Sequence, residues 1–405
     1  MTKTGFGFII AAGFIYLVAG QTQIGWLYLF DAILWSLLLI SAILPWYSLR
    51  SVEVERQILL PPTTLSQWQL GGPLEDETVE VKLKISNHGR LAKHFIKIGE
   101  DCPFDKPEKR HKAFFILYLK PRSVTDFIYT ANCYRRGHYP SANITLQSSG
   151  PLGLIVRRRT FALPLNLTIY PSYYQMEGPL ATEATWAETG HTIRSSSADQ
   201  FYGPREYQYG DPLKYIHWRH TARLGRFILK EFEEPSQGSV RVFFETNRNF
   251  GREKETTLEY SIKIAASLAK LCTDSGRSLD IITGRKPLLN AEWREAMDYL
   301  AYLEAGGKPA LAELSTAPGQ VIVAIVPAAA TELVSTLTQL ASKAQGLVVV
   351  LLEGFAPDEM VAQLQTRWTE GNLHIVSCPR GNLESSLKRL SDALLGISQS
   401  AAFLG

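Results

Sequence analysis

A chain of 405 residues with 45% apolar and 20% charged residues has room for two or three domains and the make-up of folded protein, which excludes extended disorder. A formal net charge of +3 is too small for general nucleic-acid binding, which needs a concentrated basic face, so no nucleic-acid partner is expected. Cys102, Cys133, Cys272 and Cys378 lack the paired spacing of a zinc site and read as reduced, mostly buried thiols.

The first 50 residues predict a transmembrane helical hairpin. Residues 5–20 are uncharged and largely apolar, and after Gln21, Thr22 and Gln23 a second apolar stretch covers residues 24–45. At 1.5 Å per residue the second is long enough for a bilayer core of about 30 Å and the first is short but workable. Trp26 and Tyr28 at one end and Trp46 and Tyr47 at the other are placed like an aromatic belt. Lys3, Arg50 and Arg56 flank the pair while the turn carries no positive charge, which predicts both termini and the soluble domains in the cytoplasm. A competing reading takes Met1 to Gly20 as a cleaved signal peptide ending in Val18, Ala19 and Gly20. Asp31, inside the second span, flags a functional group by position, yet a lone carboxylate is too sparse for a proton path.

Residues 51–172 alternate with a period of two and break about every ten residues. The runs are ETVEVKLKIS, HFIKIGE, AFFILYLK, SVTDFIYTA, ANITLQ and LNLTIYP, with a turn at Asn87, His88 and Gly89. This predicts an immunoglobulin-like antiparallel β domain. From residue 238 to 405 the rhythm becomes strand then helix: VRVFFET, a helix near Thr257–Cys272, LDIIT, a helix near Ala291–Glu304, VIVAIVP, a helix near Thr331–Gln345, LVVVLLE, a helix near Pro357–Thr369, LHIVS, and a helix over Leu383–Leu395. Near-continuous apolar strands between amphipathic helices predict a doubly wound α/β domain, with any site at the carboxyl ends of its strands. The loop there, from Glu245 to Gly251, has no phosphate-cradling glycine run, and no nucleophile motif or paired-histidine metal helix occurs. No catalytic residue and no cofactor is expected.

Residues 173–237 form a signature segment and junction. REYQYGDPLKYIHWRHTARLGRF, from Arg205 to Phe227, crowds arginine, histidine and aromatic residues. Asp211 followed by Pro212 predicts a capped helix start and Gly225 a stop. Within it Arg219, Arg223 and Arg226 share a face, and a guanidinium ridge suits carboxylate or phosphate contacts. Glu206, Asp211, Glu231, Glu233 and Glu234 offer partners within the chain, so the ridge reads either as an internal clasp or as a docking surface for another protein.

Gly203-Pro204-Arg205-Glu206-Tyr207, Tyr209-Gly210-Asp211, Ile216-His217-Trp218-Arg219, Ala222-Arg223, Gly225 and Lys230-Glu231-Phe232-Glu233 together resemble the signature of the bacterial domain-of-unknown-function 58 family. Arg136-Gly137-His138-Tyr139 and Gly150-Pro151-Leu152-Gly153-Leu154 resemble two further elements of its β region. The resemblance implies two amino-terminal spans in the bacterial inner membrane, a β region and a von Willebrand factor A-like α/β domain, often accompanied by a MoxR-type AAA+ ATPase, and no established enzymatic activity. Arg205, Glu206, Tyr209, Gly210, Asp211, Trp218, Arg219, Arg223 and Lys230 are the residues expected to bind a partner or form the clasp. Metal-binding A domains carry a DxSxS motif of hard oxygen ligands; here Glu245, Asn247 and Asn249 stand in its place, a degenerate set from which no metal is expected. The expectation is a membrane-anchored, non-enzymatic adaptor, with a metal-dependent binding or hydrolytic domain centred on Glu245 as the alternative.

Overall fold

The computed structural model describes residues 2–60, 70–150, 152–176, 201–206, 221, 225, 228–232, 240–308, 321–329, 346–356 and 373–403. They fall into two compact units, Met1–Pro171 and Ser172–Gly405. The expected helices over Thr331–Gln345 and Pro357–Thr369 lie outside the described residues.

In the first unit α1 (Lys3–Thr22) and α2 (Gly25–Leu49) are long and apolar enough to cross a membrane. These two candidate spans mark a membrane protein. The α1 residues buried against neighbours are Gly5, Ala12 and Ala19, seven apart, and in α2 Asp31, Leu38 and Pro45 repeat at the same interval. Without a hydrophobic driving force inside lipid, small residues at such spacing let two helices approach closely. The remaining faces expose Phe14, Leu17, Trp26 and Leu39. Asp31 is buried in the hairpin, and its Oδ1 has no hydrogen-bond partner among the described atoms.

Seven strands follow. β1 (Val52–Leu59), β2 (Thr78–Asn87) and β5 (Val124–Asn132) form one antiparallel sheet in the order β1-β2-β5. β4 (His111–Leu119), β3 (Lys93–Asp101), β6 (Gly137–Ser148) and β7 (Arg157–Ile169) form the other in the order β4-β3-β6-β7. Period-two alternation points Val79, Val81, Leu83 and Ile85 of β2 and Ile96 and Ile98 of β3 into one shared core, which makes the pair of sheets a sandwich. Inside it lies an ion pair, Arg56 Nε to Glu100 Oε1 at 2.8 Å, with side chains 2% and 1% exposed. Arg56 therefore does not act as the membrane-flanking charge that its sequence position suggests.

The second unit opens with a hairpin of β8 (Phe201–Glu206) and β9 (Ile228–Phe232). A six-stranded mixed sheet follows: β10 (Val240–Phe244), then, past a small separate hairpin of β11 (Gly251–Arg252) and β12 (Glu255–Thr256), β13 (Leu279–Ile282), β14 (Leu288–Ala291), β15 (Val321–Pro327), β16 (Gly346–Glu353) and β17 (Leu373–Pro379). Its order is β14-β13-β10-β15-β16-β17, parallel except for the edge strand β14. All five residues of β10 are buried, as a strand covered on both faces requires. The helices α3 (Thr257–Asp274), α4 (Trp293–Tyr302) and α5 (Leu383–Phe403) match the predicted amphipathic stretches to within a few residues at most ends, although α5 runs on to Phe403.

Candidate binding site at the carboxyl edge of the sheet

The strand order reverses between β10 and β15, and the loops beyond that point carry the residues singled out by sequence. Glu245 follows β10 directly and is 4% exposed. Arg248, three residues on, brings Nε to 3.4 Å from Glu245 Oε2. Asn247 is exposed at the rim. Asn249 is turned to structural use: its Oδ1 accepts the Leu258 N–H at 3.2 Å at the start of α3, where Thr256 caps the helix by accepting the Glu259 N–H. Of the three positions in place of a metal motif, one carboxylate thus meets a guanidinium and one amide closes a helix end. Among the described residues no group of three His, Cys, Asp or Glu side chains could hold a metal ion.

Thr246 ties this edge together. Its Oγ1 lies 3.1 Å from the Thr283 carbonyl and 2.5 Å from that of Gly306, and its own carbonyl accepts the Gly306 N–H at 2.7 Å. Gly307, at φ +130, leaves room for this contact, since a Cβ there would come within 3.0 Å of the hydroxyl. Sequence reasoning missed a second cluster. Tyr260 on α3 donates its hydroxyl to Glu255 Oε2 at 2.8 Å and accepts the Gly381 N–H at 2.8 Å, while Phe355 packs edge-on at 4.9 Å. Burial pushes the Tyr260 phenol up to about 12, so it stays a donor. Arg380 Nε sits 3.6 Å from the same carboxylate. The only sequence signal was a tyrosine amid the apolar face of α3.

The signature segment is described only in part. The β8–β9 register sets Arg205 opposite Leu229, Glu206 opposite Ile228 and Pro204 opposite Lys230, so both ends of the motif share one two-stranded ribbon. Gly225 has φ +68 and donates its N–H to the Thr221 carbonyl at 2.9 Å, the geometry of a helix stop. Tyr209, Gly210, Asp211, Trp218, Arg219 and Arg223 lie outside the described residues. The clasp and the docking reading both turn on those side chains.

Other polar groups serve the interior. Arg241 and Asp280 pair at 2.9 Å between β10 and β13, and Asp280 Oδ1 accepts the Asn290 N–H of β14. The four thiols are buried and unbridged, and burial pushes those of Cys102, Cys133 and Cys272 up to about 12. Thiols so protonated are poor nucleophiles.

A family model described as "Protein of unknown function DUF58" matches residues 203–290, which run from the β8–β9 ribbon through β10 and α3 to β14. The match and the two apolar helices fit a membrane protein of that kind. No curated protein matches the chain. Among solved structures the chain is similar to the putative ApaA protein from Bordetella pertussis, at 15% identity over 28% of this chain and 93% of that one, with a TM-score of 0.18. It is similar to the sporulation control protein Spo0M from Bacillus subtilis at 11% identity over 39% and 58%, TM-score 0.17. A GH20 exo β-N-acetylglucosaminidase from Vibrio harveyi matches at 7% identity over 87% and 75%, TM-score 0.20. Scores this low carry no functional argument.

Proposed function

We propose that this protein is a membrane-anchored cytoplasmic adaptor whose soluble units bind partner proteins, with a MoxR-type AAA+ ATPase as the partner class that the family resemblance suggests. The observation that carries the reading is the family match over residues 203–290, placed downstream of two candidate spans. On this reading the second unit is a von Willebrand factor A-like domain and the sandwich is immunoglobulin-like. The sheet order β14-β13-β10-β15-β16-β17 and the three-plus-four strand division support those assignments. Lys3 and Arg50 at the open end of the hairpin support a cytoplasmic placement in a bacterial inner membrane. Docking of α1 against α2 and against Leu154 supports its retention over cleavage as a signal peptide.

Engagement of Glu245 by Arg248 favours the adaptor over the metal-dependent alternative, because a carboxylate neutralised by a neighbouring guanidinium is a poorer ligand for a hard cation. The test is affinity capture of the full chain from bacterial membranes in mild detergent, comparing the unmodified chain with Arg219→Ala and Arg223→Ala. Recovery of an AAA+ ATPase that falls at least about tenfold in variants with unchanged melting supports docking; variants that unfold make the arginines a clasp. Calorimetry that detects Mg²⁺ binding abolished by Glu245→Gln would overturn the reading in favour of the metal site.

A further inference from the structure

The sandwich has two ends of different character. Register places Val52 opposite Asn87, Ser86 opposite Val124, Lys93 opposite Leu119, Ile96 opposite Ser148 and Ser148 opposite Arg157, so the loops holding residues 87–93, 119–124 and 149–157 gather where the chain leaves α2. They are tied into one rim. Asn87 donates from Nδ2 to the carbonyls of Leu91 and Lys120, Arg122 donates its N–H to Gly89, and His88 donates its N–H to Ser51. Lys93, 1% exposed, donates from Nζ to the Tyr47 carbonyl of α2 at 2.7 Å, over the Tyr47 ring.

One of these loops reaches further. Gly150 lies against Leu44 and Pro45, and Leu154 joins Ala12 and Leu38 in an apolar cluster with Phe8, Ile9, Leu34 and Ile155. Leu44 and Pro45 are four to five residues inside the end of α2, about 6–7.5 Å along its axis, so the loop reaches the depth at which the apolar stretch begins. Two of its carbonyls are satisfied there: that of Leu154 accepts the Thr2 N–H, and Thr2 Oγ1 lies 2.8 Å from it and 3.0 Å from that of Gly153. Beside this docked loop Leu152 remains 46% exposed, and Leu91 on the rim is 60% exposed.

Charge follows the same division. Residues 87–93, 119–124 and 149–160 include Arg90, Lys120, Arg122 and the exposed run Arg157–Arg159 but no Asp or Glu. The opposite end mixes signs, with Asp101, Asp105 and Glu108 among Lys106, Lys109 and Arg110. The loops of this rim carry only basic charges, with the single carboxylate of Glu53 on β1 held 3.1 Å from His88 beside them, and such a predominantly basic, apolar-tipped rim at the depth where lipid tails meet headgroups complements an anionic leaflet. We propose that this end of the sandwich is a lipid-contacting collar, which rests on the phosphates of an anionic bilayer and inserts Leu152 and Leu91 at its interface. The inference rests on the reading that the hairpin spans a membrane.

The test uses the full chain in vesicles of phosphatidylcholine with and without phosphatidylglycerol, carrying single nitroxide labels at Leu152→Cys, Leu91→Cys, Phe14→Cys on the exposed face of α1, and Glu108→Cys. Burial keeps the four native thiols from taking label. Oxygen and nickel accessibility then give depth. The label at residue 14 is expected deep, those at 152 and 91 at the headgroup boundary, and that at 108 in water. Spin-labelled phosphatidylglycerol is expected to concentrate around the protein, and Arg122→Gln with Arg157→Gln and Arg158→Gln to reduce that enrichment at least about fivefold. A deep residue 14 with aqueous labels at 152 and 91 overturns the collar and leaves the hairpin standing; an aqueous residue 14 removes both. Labels at 152 and 91 shielded from oxygen and nickel alike mean a protein partner or a second copy occupies the rim. Enrichment unchanged by the arginine substitutions also overturns the proposal.

Discussion

Glu100→Ala tests the most exacting contact in the sandwich. Arg56 and Glu100 meet at 2.8 Å with almost no exposure, yet Arg56 Nη2 and Glu100 Oε2 have no hydrogen-bond partner among the described atoms. Removing the carboxylate leaves a guanidinium without its counter-charge in a dry core, a loss of about 3–5 kcal/mol. Replacing both by apolar groups of similar size, Arg56→Met with Glu100→Leu, removes the desolvation cost along with the attraction and is expected within about 1 kcal/mol of the unmodified chain. For a unit of this size each kcal/mol moves the midpoint by about 2–4 °C, so the single variant should melt roughly 6–20 °C lower and the double variant close to the parent. The assay is thermal exposure of thiols to a fluorogenic maleimide in detergent, in a Cys272→Ala, Cys378→Ala background, so that only Cys102 and Cys133 of the sandwich report. A fall under about 2 °C for Glu100→Ala, or a double variant that melts with the single one, would refute the buried-pair account.

Burial raises the Glu100 pKa in spite of the adjacent Arg56 charge. The folded state then holds its proton to higher pH than the unfolded chain, so this group lowers stability as pH rises from about 4.5 through its raised folded value, and Glu100→Gln should remove that slope from a pH series of melting points. Gly5→Leu is expected to cost about 1–3 kcal/mol, because a Cβ at Gly5 would stand 2.2 Å from the Leu154 carbonyl, while Gly7→Leu, with open space at that point, should leave the midpoint unchanged in the same thiol assay. Tyr260→Phe loses the Glu255 and Gly381 contacts and should lower the midpoint of the second unit, read from Cys272, by an amount equivalent to about 1–2 kcal/mol. The native chain should resist maleimide at pH 8 until it unfolds, since three of its thiols are pushed up to about 12.

Periodicity made the two spans, most of the sandwich and the β/α rhythm legible, and it failed where side-chain chemistry masked the period. β1 carries its core residues Val52 and Val54 only at the start and then runs through Arg56, whose charge hides that it points inward. β7 is legible only at its carboxyl end because Arg157–Thr160 is polar, although register pairs it with β6 from Arg157 onward. The edge strand β14 is too short to separate from the turn before α4. The loop after β10 does lie where the strand order reverses, as its place in the sequence pattern implies, but the Glu245 to Arg248 pairing arises from irregular backbone that no spacing rule encodes. The Gly150–Leu154 element is visible as a motif and its partner is not, because hydrophobic pattern says which residues are buried and not what covers them.

The bond between Thr2 and Leu154 spans 152 residues of chain, which sets an order for biosynthesis. At about 5–20 residues per second, roughly 8–30 s of translation separate the emergence of the first helix from that of the loop that completes its cap. Through that interval Gly5 and Ala12 lack the cover that Leu154 gives them, and the sandwich closes over the hairpin only once its sixth strand has left the ribosome. The last loop of the sandwich to be made is the one that seals the first turn of helix.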